Sequence, residues 1–100
     1  MSALSLEEAI ELVVAPRNRN RPPGASPWIA VGEPEDHGWA WVFATNLASA
    51  LDDPLTGMVG QGLSVVAKDG SIVADTGSAP GMRERVEVLR RRWRRDHGAV

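Results

Sequence analysis

The chain has 100 residues, of which 43% are hydrophobic and 24% charged, and its formal net charge is −2 at pH 7. These values predict one soluble globular domain over residues 1–100 with a modest core. No apolar run approaches the ~20 residues of a membrane span, and the N-terminus lacks the basic and apolar regions of a secretory signal. We therefore expect a cytoplasmic location and no membrane partner. The sequence holds no cysteine, which excludes disulfides and thiol catalysis.

A capping box opens the first predicted helix. Ser5 and Glu8 stand three residues apart, the spacing at which each side chain reaches the other's backbone amide. Apolar residues at positions 6, 9, 10 and 13 then recur on one face. Because Pro16 disfavours helical geometry at the residue before it, we expect the helix to end near Val14. Residues 17–27, rich in Arg, Asn and Pro, are predicted to form a solvated connector.

Aromatic residues alternate in the stretch from His37 to Thr45, which holds two of the four tryptophans and the only phenylalanine. Successive strand side chains point to opposite faces, so Trp39, Trp41 and Phe43 are predicted to share one face of a central core strand. Residues 28–32 form a short strand before it, and the acidic residues 33–36 are predicted to form the turn of a hairpin.

The tip of this hairpin is a candidate surface for contact with a partner protein. Its carboxylates could form a catalytic or metal cluster, but an acidic turn exposed to water favours partner contact over catalysis. Trp39 has two interpretations, a core residue or an exposed residue at a partner interface. The candidate contact residues are Glu33, Glu35, Asp36, His37 and Trp39.

Catalytic and metal-binding patterns are weak throughout the sequence. His37 and His97 fall in different elements, and no ligand spacing supplies further metal ligands beside them. No Ser, His and carboxylate trio is suggested locally, so we predict no catalytic residue, no metal and no cofactor, and a chain that is not an enzyme.

The second half of the chain is predicted to contain a helical turn, a hairpin and a helix. The helical turn covers residues 46–55. The stretch after it contains Gly57, Gly60 and Gly62 but not the Lys followed by Ser or Thr that a phosphate loop requires, so these glycines are interpreted as letting the backbone bend into the next strand. Asp69-Gly70 between β-branched runs predicts strands at residues 63–67 and 71–75. Ser78 and Pro80 open the second helix, whose apolar stripe should lie on the sheet. The stripe consists of Met82, Val86, Leu89 and Trp93.

These elements predict an α+β fold, a four-stranded antiparallel sheet with the N-terminal and C-terminal helices packed on one face. The second helix is basic, since residues 82–100 carry a formal charge of +4 and residues 1–81 carry −6. Most basic helix faces are solvated, so nucleic-acid binding there is a minor hypothesis. An exposed edge strand can pair with that of a second copy, so a homodimer is an alternative that the sequence leaves undecided.

Three motifs in this order resemble the immunity protein 35 family, which includes the YrhB-like proteins of bacterial polymorphic toxin systems. The resemblance runs from about Ser5 to Arg95 and departs from the family pattern in the loop after the first helix, at Gln61 and Leu63, and in the arginine content of the last helix. The motifs are Leu6-Glu7-Glu8-Ala9, then Gly38-Trp39-Ala40-Trp41-Val42-Phe43, and then Gly60-Gln61-Gly62-Leu63-Ser64-Val65-Val66 leading through Asp69-Gly70 to Ser71-Ile72-Val73 and Thr76-Gly77.

The resemblance implies a small α+β protein that binds and neutralises a cognate toxin encoded beside it, papain-like peptidases being among the toxins proposed for the family. Stoichiometric inhibition is the expected mechanism, and the family offers no catalytic residue to carry over. Two alternatives stay open at this point. One is a chaperone-like or stress-associated binding protein, and the other is a nucleic-acid binder that uses the arginine-rich helix.

Overall fold

The computed structural model describes residues 3–53, 62–77 and 81–96. Helix α1 spans Leu6–Arg19, and four strands follow, β1 at Trp28–Asp36, β2 at Ala40–Leu47, β3 at Leu63–Ala67 and β4 at Val73–Asp75. A short 3₁₀ helix covers Ala48–Leu51 after β2, and helix α2 spans Met82–Asp96. The strands form one antiparallel sheet in the order β1-β2-β3-β4. The predicted α+β architecture of four antiparallel strands and two terminal helices is confirmed.

The two helices lie on opposite faces of the sheet, so their predicted placement on one face is wrong. Phe43 and Val66 pack with Ala9 and Val13 of α1. Val42, the neighbour of Phe43 in β2, packs instead in a cluster that contains Val86 and Leu89 of α2. Because neighbouring residues of a strand point to opposite faces, these two clusters must be separated by the sheet. The β2 strand is therefore covered on both sides.

Trp39 departs from the alternation predicted for the aromatic stretch. Strand β2 begins at Ala40, after a turn in which Gly38 takes a positive φ of 82°. Trp39 belongs to this turn and packs in the α2 cluster, whereas Trp41 and Phe43 lie against the α1 cluster. The prediction that the three aromatics share one face is wrong for Trp39, because the strand pattern does not extend through the turn.

Helix α1 begins as predicted and ends later than predicted. Ser5 is its N-cap, and the capping box is complete, with Ser5 Oγ accepting from the Glu8 amide at 3.1 Å. The helix continues through Pro16 to Arg19, beyond the predicted end near Val14. Pro16 lies on the exposed side of α1, and the turn after it is held by Asn18, whose side chain bonds both the amide and the carbonyl of Trp28.

Strand β1 is longer than predicted, and the acidic residues belong to it. The strand reaches Asp36, with a break in its register against β2 between Val31 and Glu35. The connection to β2 is made by residues 37–39, not by the predicted turn at residues 33–36. The irregular register explains the difference, since a bulge lets the strand continue across Pro34.

The later elements follow the sequence prediction in type and order where the structure describes them, but two of them are shorter than predicted. Strands β3 and β4 are joined through Asp69-Gly70, and Gly70 has a φ of 81°. The helical turn predicted for residues 46–55 is a 3₁₀ helix at Ala48–Leu51, because positions 46 and 47 continue β2, and β4 begins at Val73, two residues later than predicted. Helix α2 buries Val86 and Leu89 of its apolar stripe. Pro54, Leu55, Gly57, Gly60, Ser78 and Pro80 lie outside the described residues. No described helix is long and apolar enough to cross a membrane.

Candidate functional site

The acidic candidates lie at one end of the sheet, where β1 turns into β2. We call residues 33–37 the acidic end. The turn is closed by the His37 amide, which donates to the Ala40 carbonyl at 2.9 Å. The Gly38 amide donates to Asp36 Oδ1 at 2.8 Å, a local bond that Asp makes readily in turns. Asp36 therefore fixes the backbone that follows it.

Glu35 is held by a cation from the opposite end of the chain. Arg83 of α2 donates to both carboxylate oxygens, with the Nη2 to Oε2 distance at 2.8 Å, and His37 Nε2 lies 2.8 Å from Oε1. The Arg83 hydrogen bonds are the largest cause that lowers the pKa of Glu35 from 4.5 to about 2, followed by that to His37. Glu35 is thus ionised and fixed in one geometry.

Asp36 is held by a second cation, Lys68 of the hairpin that joins β3 to β4. Lys68 Nζ donates to Asp36 Oδ1 at 2.7 Å, and this hydrogen bond is the main cause that lowers the pKa of Asp36. The same Nζ lies 4.5 Å from the centre of the Trp41 ring, a cation-π distance. Trp41 Nε1 in turn donates to the Leu4 carbonyl at 2.9 Å. The acidic end is therefore tied to the sheet and to the chain before α1.

Glu33 differs from the other two carboxylates of the acidic end. Its side chain is exposed and has no hydrogen bond or ion pair to the residues described. Glu35 and Asp36 retain side-chain exposures of 37% and 51% while they hold their internal partners. The surface thus combines one carboxylate that has no partner among the described residues and two that are held in place while their side chains stay partly exposed.

Trp39 does not belong to this surface. It is only 8% exposed, and its ring lies 5.7 Å from that of Trp93 at an angle of 39°. Its Nε1 is buried without a hydrogen-bond partner among the residues that the structure describes. The interpretation of Trp39 as a core residue is confirmed, and its inclusion among exposed partner-contact residues is corrected. The turn carries the indole toward α2, where apolar neighbours cover it.

Sequence analysis did not identify Arg83 and Lys68 as members of this surface. Both lie far from residues 33–37 along the chain, and the sequence contains 11 Lys and Arg residues that could equally have paired with them. Lys68 sits in a recognisable hairpin turn, but nothing local indicates that this turn meets the one between β1 and β2. The pairing of Lys68 with Asp36 follows from the sheet order, which places the two turns side by side at one end, and that of Arg83 with Glu35 follows from the position of α2 on the sheet.

A second polar cluster lies under the last turn of α1. Arg17 Nη1 donates to Thr45 Oγ1 at 2.7 Å, and its Nη2 lies 3.3 Å from Asp75 Oδ2. Ser64 Oγ donates to the other carboxylate oxygen of Asp75 at 3.0 Å. Thr45 and Ser64 are almost fully buried, so these bonds satisfy polar groups inside the sheet layer. The cluster has a structural explanation and fastens α1 to three strands.

An open groove with an apolar lining runs along α1. It has a volume of about 370 Å³ and includes Leu12, which is 45% exposed, together with Ala15 and Pro16. Glu8 and Arg19 also line it. Within the described residues, no group of three His, Asp or Glu side chains is placed to hold a metal ion.

No family model, curated protein or solved structure matches this chain. The resemblance to the immunity protein 35 family consequently depends on the three sequence motifs alone.

Proposed function

We propose that this chain is an immunity-type protein that binds a cognate toxin in the cytoplasm and neutralises it by stoichiometric inhibition. The motif order supports the proposal, and so does the α+β fold that the resemblance implies. The Trp-rich motif lies in β2 and its preceding turn, next to the acidic end. The proposed partner is a protein encoded beside this chain, with papain-like peptidases as one class to test.

One observation carries the choice of surface. The acidic end presents carboxylates in a fixed arrangement, because Arg83 and Lys68 hold Glu35 and Asp36. A surface that is already ordered before binding loses less conformational freedom on association than a mobile one. Exposed carboxylates also attract a basic partner surface and raise the association rate. Glu33, without an internal partner in the described residues, is the proposed direct contact.

Co-expression with the adjacent reading frame tests the proposal. We expect this chain to restore growth to cells that express the toxin and to co-purify with it in a fixed stoichiometric ratio. An adjacent frame that is not toxic, or a toxin whose effect this chain does not relieve, would contradict the proposal. Titration of the toxin's activity with the purified chain then measures whether inhibition is complete at the molar ratio found in the co-purified complex.

Two charge reversals test the surface separately. Glu33→Lys changes the acidic end without removing an internal ion pair, and Asp52→Lys makes the same charge change beyond the other end of β2. We expect Glu33→Lys to lower the association rate about tenfold at low salt, since electrostatic steering spans more than one order of magnitude. Asp52→Lys should leave the rate within about twofold. Equal effects of the two variants would exclude the acidic end as the contact surface.

A further inference from the structure

The positive charge of α2 is concentrated in its last two turns. Residues 82–89 contain two arginines and two glutamates, whereas residues 90–96 contain five arginines and one aspartate. The whole charge of +4 on α2 therefore belongs to residues 90–96. We call this segment the basic end of α2. Its arginines are Arg90, Arg91, Arg92, Arg94 and Arg95.

Internal ion pairs use only a small part of this charge. Arg90 lies 2.9 Å from Glu87. Arg92 and Arg95 each approach Asp96 at 3.8 Å, with side chains 60% and 77% exposed. Two further arginines, at positions 91 and 94, are exposed and have no ion pair to the part of the chain that the structure describes. Most of the guanidinium donors of the basic end are thus available to a partner.

The apolar side of α2 fixes the direction in which these arginines point. Leu89 is 2% exposed in the core cluster with the sheet, and Trp93 packs against that cluster. Trp93 Nε1 also donates to Asp69 Oδ2 at 3.0 Å. These contacts set the rotation of the helix about its own axis, so the exposed arginines of the basic end lie on the sides that face away from the core cluster. A favourable interaction with the helix dipole accounts for cations in the final turn, but arginines also occupy positions 90 and 91 before it.

The geometry points to a carboxylate-rich surface on the protein partner as the ligand of the basic end, an inference that takes the existence of that partner from the proposed function. The arginine fork matches a carboxylate in two parallel hydrogen bonds. Arg83 already makes this type of contact with Glu35 inside the chain. The basic end would repeat it with carboxylates of the partner.

The charge of the remaining chain favours a local acidic patch over an extended polyanion. Residues 1–81 carry −6, and the acidic end meets α2 at Arg83, ten residues before Trp93. Ten helical residues span about 15 Å, roughly two Debye lengths at physiological ionic strength. A nucleic acid lying along α2 would place phosphates near these carboxylates. The only aromatic of α2, Trp93, faces the core and is not presented for base stacking.

Fluorescence anisotropy with a labelled polyglutamate peptide of about six residues, which spans at most about 20 Å and so represents a local acidic patch, tests the inference without the toxin. A 20-nucleotide single-stranded RNA serves as the competing probe, and both are titrated at 50 and 200 mM NaCl. The test variant is Arg91→Gln with Arg94→Gln. The matched control is Arg19→Gln with Arg85→Gln, which removes the same charge at exposed arginines without ion pairs among the described residues. Circular dichroism verifies that both double variants are folded.

We expect the unchanged chain to bind polyglutamate at 50 mM NaCl and the test variant to bind it about tenfold more weakly, as expected for two exposed charge contacts. The control should bind within about twofold of the unchanged chain. Absence of polyglutamate binding, tighter binding of RNA than of polyglutamate, or an equal loss in the control would each overturn the inference. Toxin neutralisation does not enter this assay, so failure of the proposed function would be seen separately in the co-expression experiment.

Discussion

Replacing Glu35 with Gln tests whether the acidic end is held together by ionic contacts. A fall in pKa from 4.5 to about 2 corresponds to roughly 3 kcal/mol if it is taken at face value. The side chains of Glu35 and Arg83 are, however, 37% and 63% exposed, and water screens exposed pairs. We therefore expect Glu35→Gln to reduce the free energy of unfolding by about 1 kcal/mol at pH 7, the upper end for exposed ion pairs.

The stability lost in Glu35→Gln should depend on pH in one direction. The pKa of Glu35 in the folded chain is below its ordinary value of 4.5, so the contribution is fully present above pH 4.5 and is lost as the pH falls toward 2. Urea denaturation of the unchanged chain and of Glu35→Gln between pH 7 and pH 2.5 measures the difference in their free energies of unfolding. Glu33→Gln is the matched control, because Glu33 lies on the same strand without an ion pair to a described residue. A difference between the unchanged chain and Glu35→Gln that stays constant with pH would refute the reasoning.

Three further substitutions, one of them with a matched control, test the packing and the helix cap of the fold that presents these surfaces. Leu89→Ala should lower the free energy of unfolding, measured by urea denaturation, by about 2–5 kcal/mol, because Leu89 is buried between α2 and the sheet. The control Val88→Ala, at a position that is 41% exposed, should lower it by under about 0.5 kcal/mol. Gly62→Ala should lower the thermal midpoint by several degrees, since an added Cβ would overlap the carbonyl of Gly77, and an unchanged midpoint would contradict this close approach. Ser5→Ala should lower the free energy of unfolding by about 1 kcal/mol, because it removes the N-cap of α1, and thermal unfolding followed by helical circular dichroism measures the loss.

Local signals in the sequence were sufficient for most of the elements. The capping box fixes the start of α1 because both of its hydrogen bonds join residues three apart. The hairpin between β3 and β4 follows from Asp69-Gly70, since glycine takes the positive φ that the turn requires. The apolar stripe of α2 is similarly visible in the spacing of its residues. Each of these features depends on neighbours in the chain.

The helices were placed on one face because the alternating aromatic residues of β2 drew attention away from its other face. Trp41 and Phe43 attract attention to one face of β2, but Ala40 and Val42 on the other face are fully buried too. A strand that is apolar at nearly every position is typical of a sheet covered on both faces. The small side chains on the α2 side bury a face as completely as the large ones do. The continuous apolar run was the available signal for two-sided packing.

The contacts within the acidic end could not be derived from the sequence. The pair of Arg83 and Glu35 joins residues 48 positions apart, and that of Lys68 and Asp36 joins residues 32 apart. Charge alone does not select them among the 13 acidic and 11 basic residues of the chain. Their selection requires the sheet order and the crossing of α2, which arise from core packing. The acidic residues themselves were found because three carboxylates fall within the four positions 33–36.

Helix α2 connects the two charged surfaces at a fixed separation. Its first turn binds Glu35 through Arg83, and its later turns are docked by Trp93 against Trp39 and Asp69. Because the helix is attached at both points, the acidic end and the basic end of α2 cannot move independently. A partner that contacts both must present basic and acidic groups about 15 Å apart, in the matching order. This requirement discriminates among partners more strongly than either surface alone, since a partner with only one complementary patch leaves the other charged surface without opposite charge.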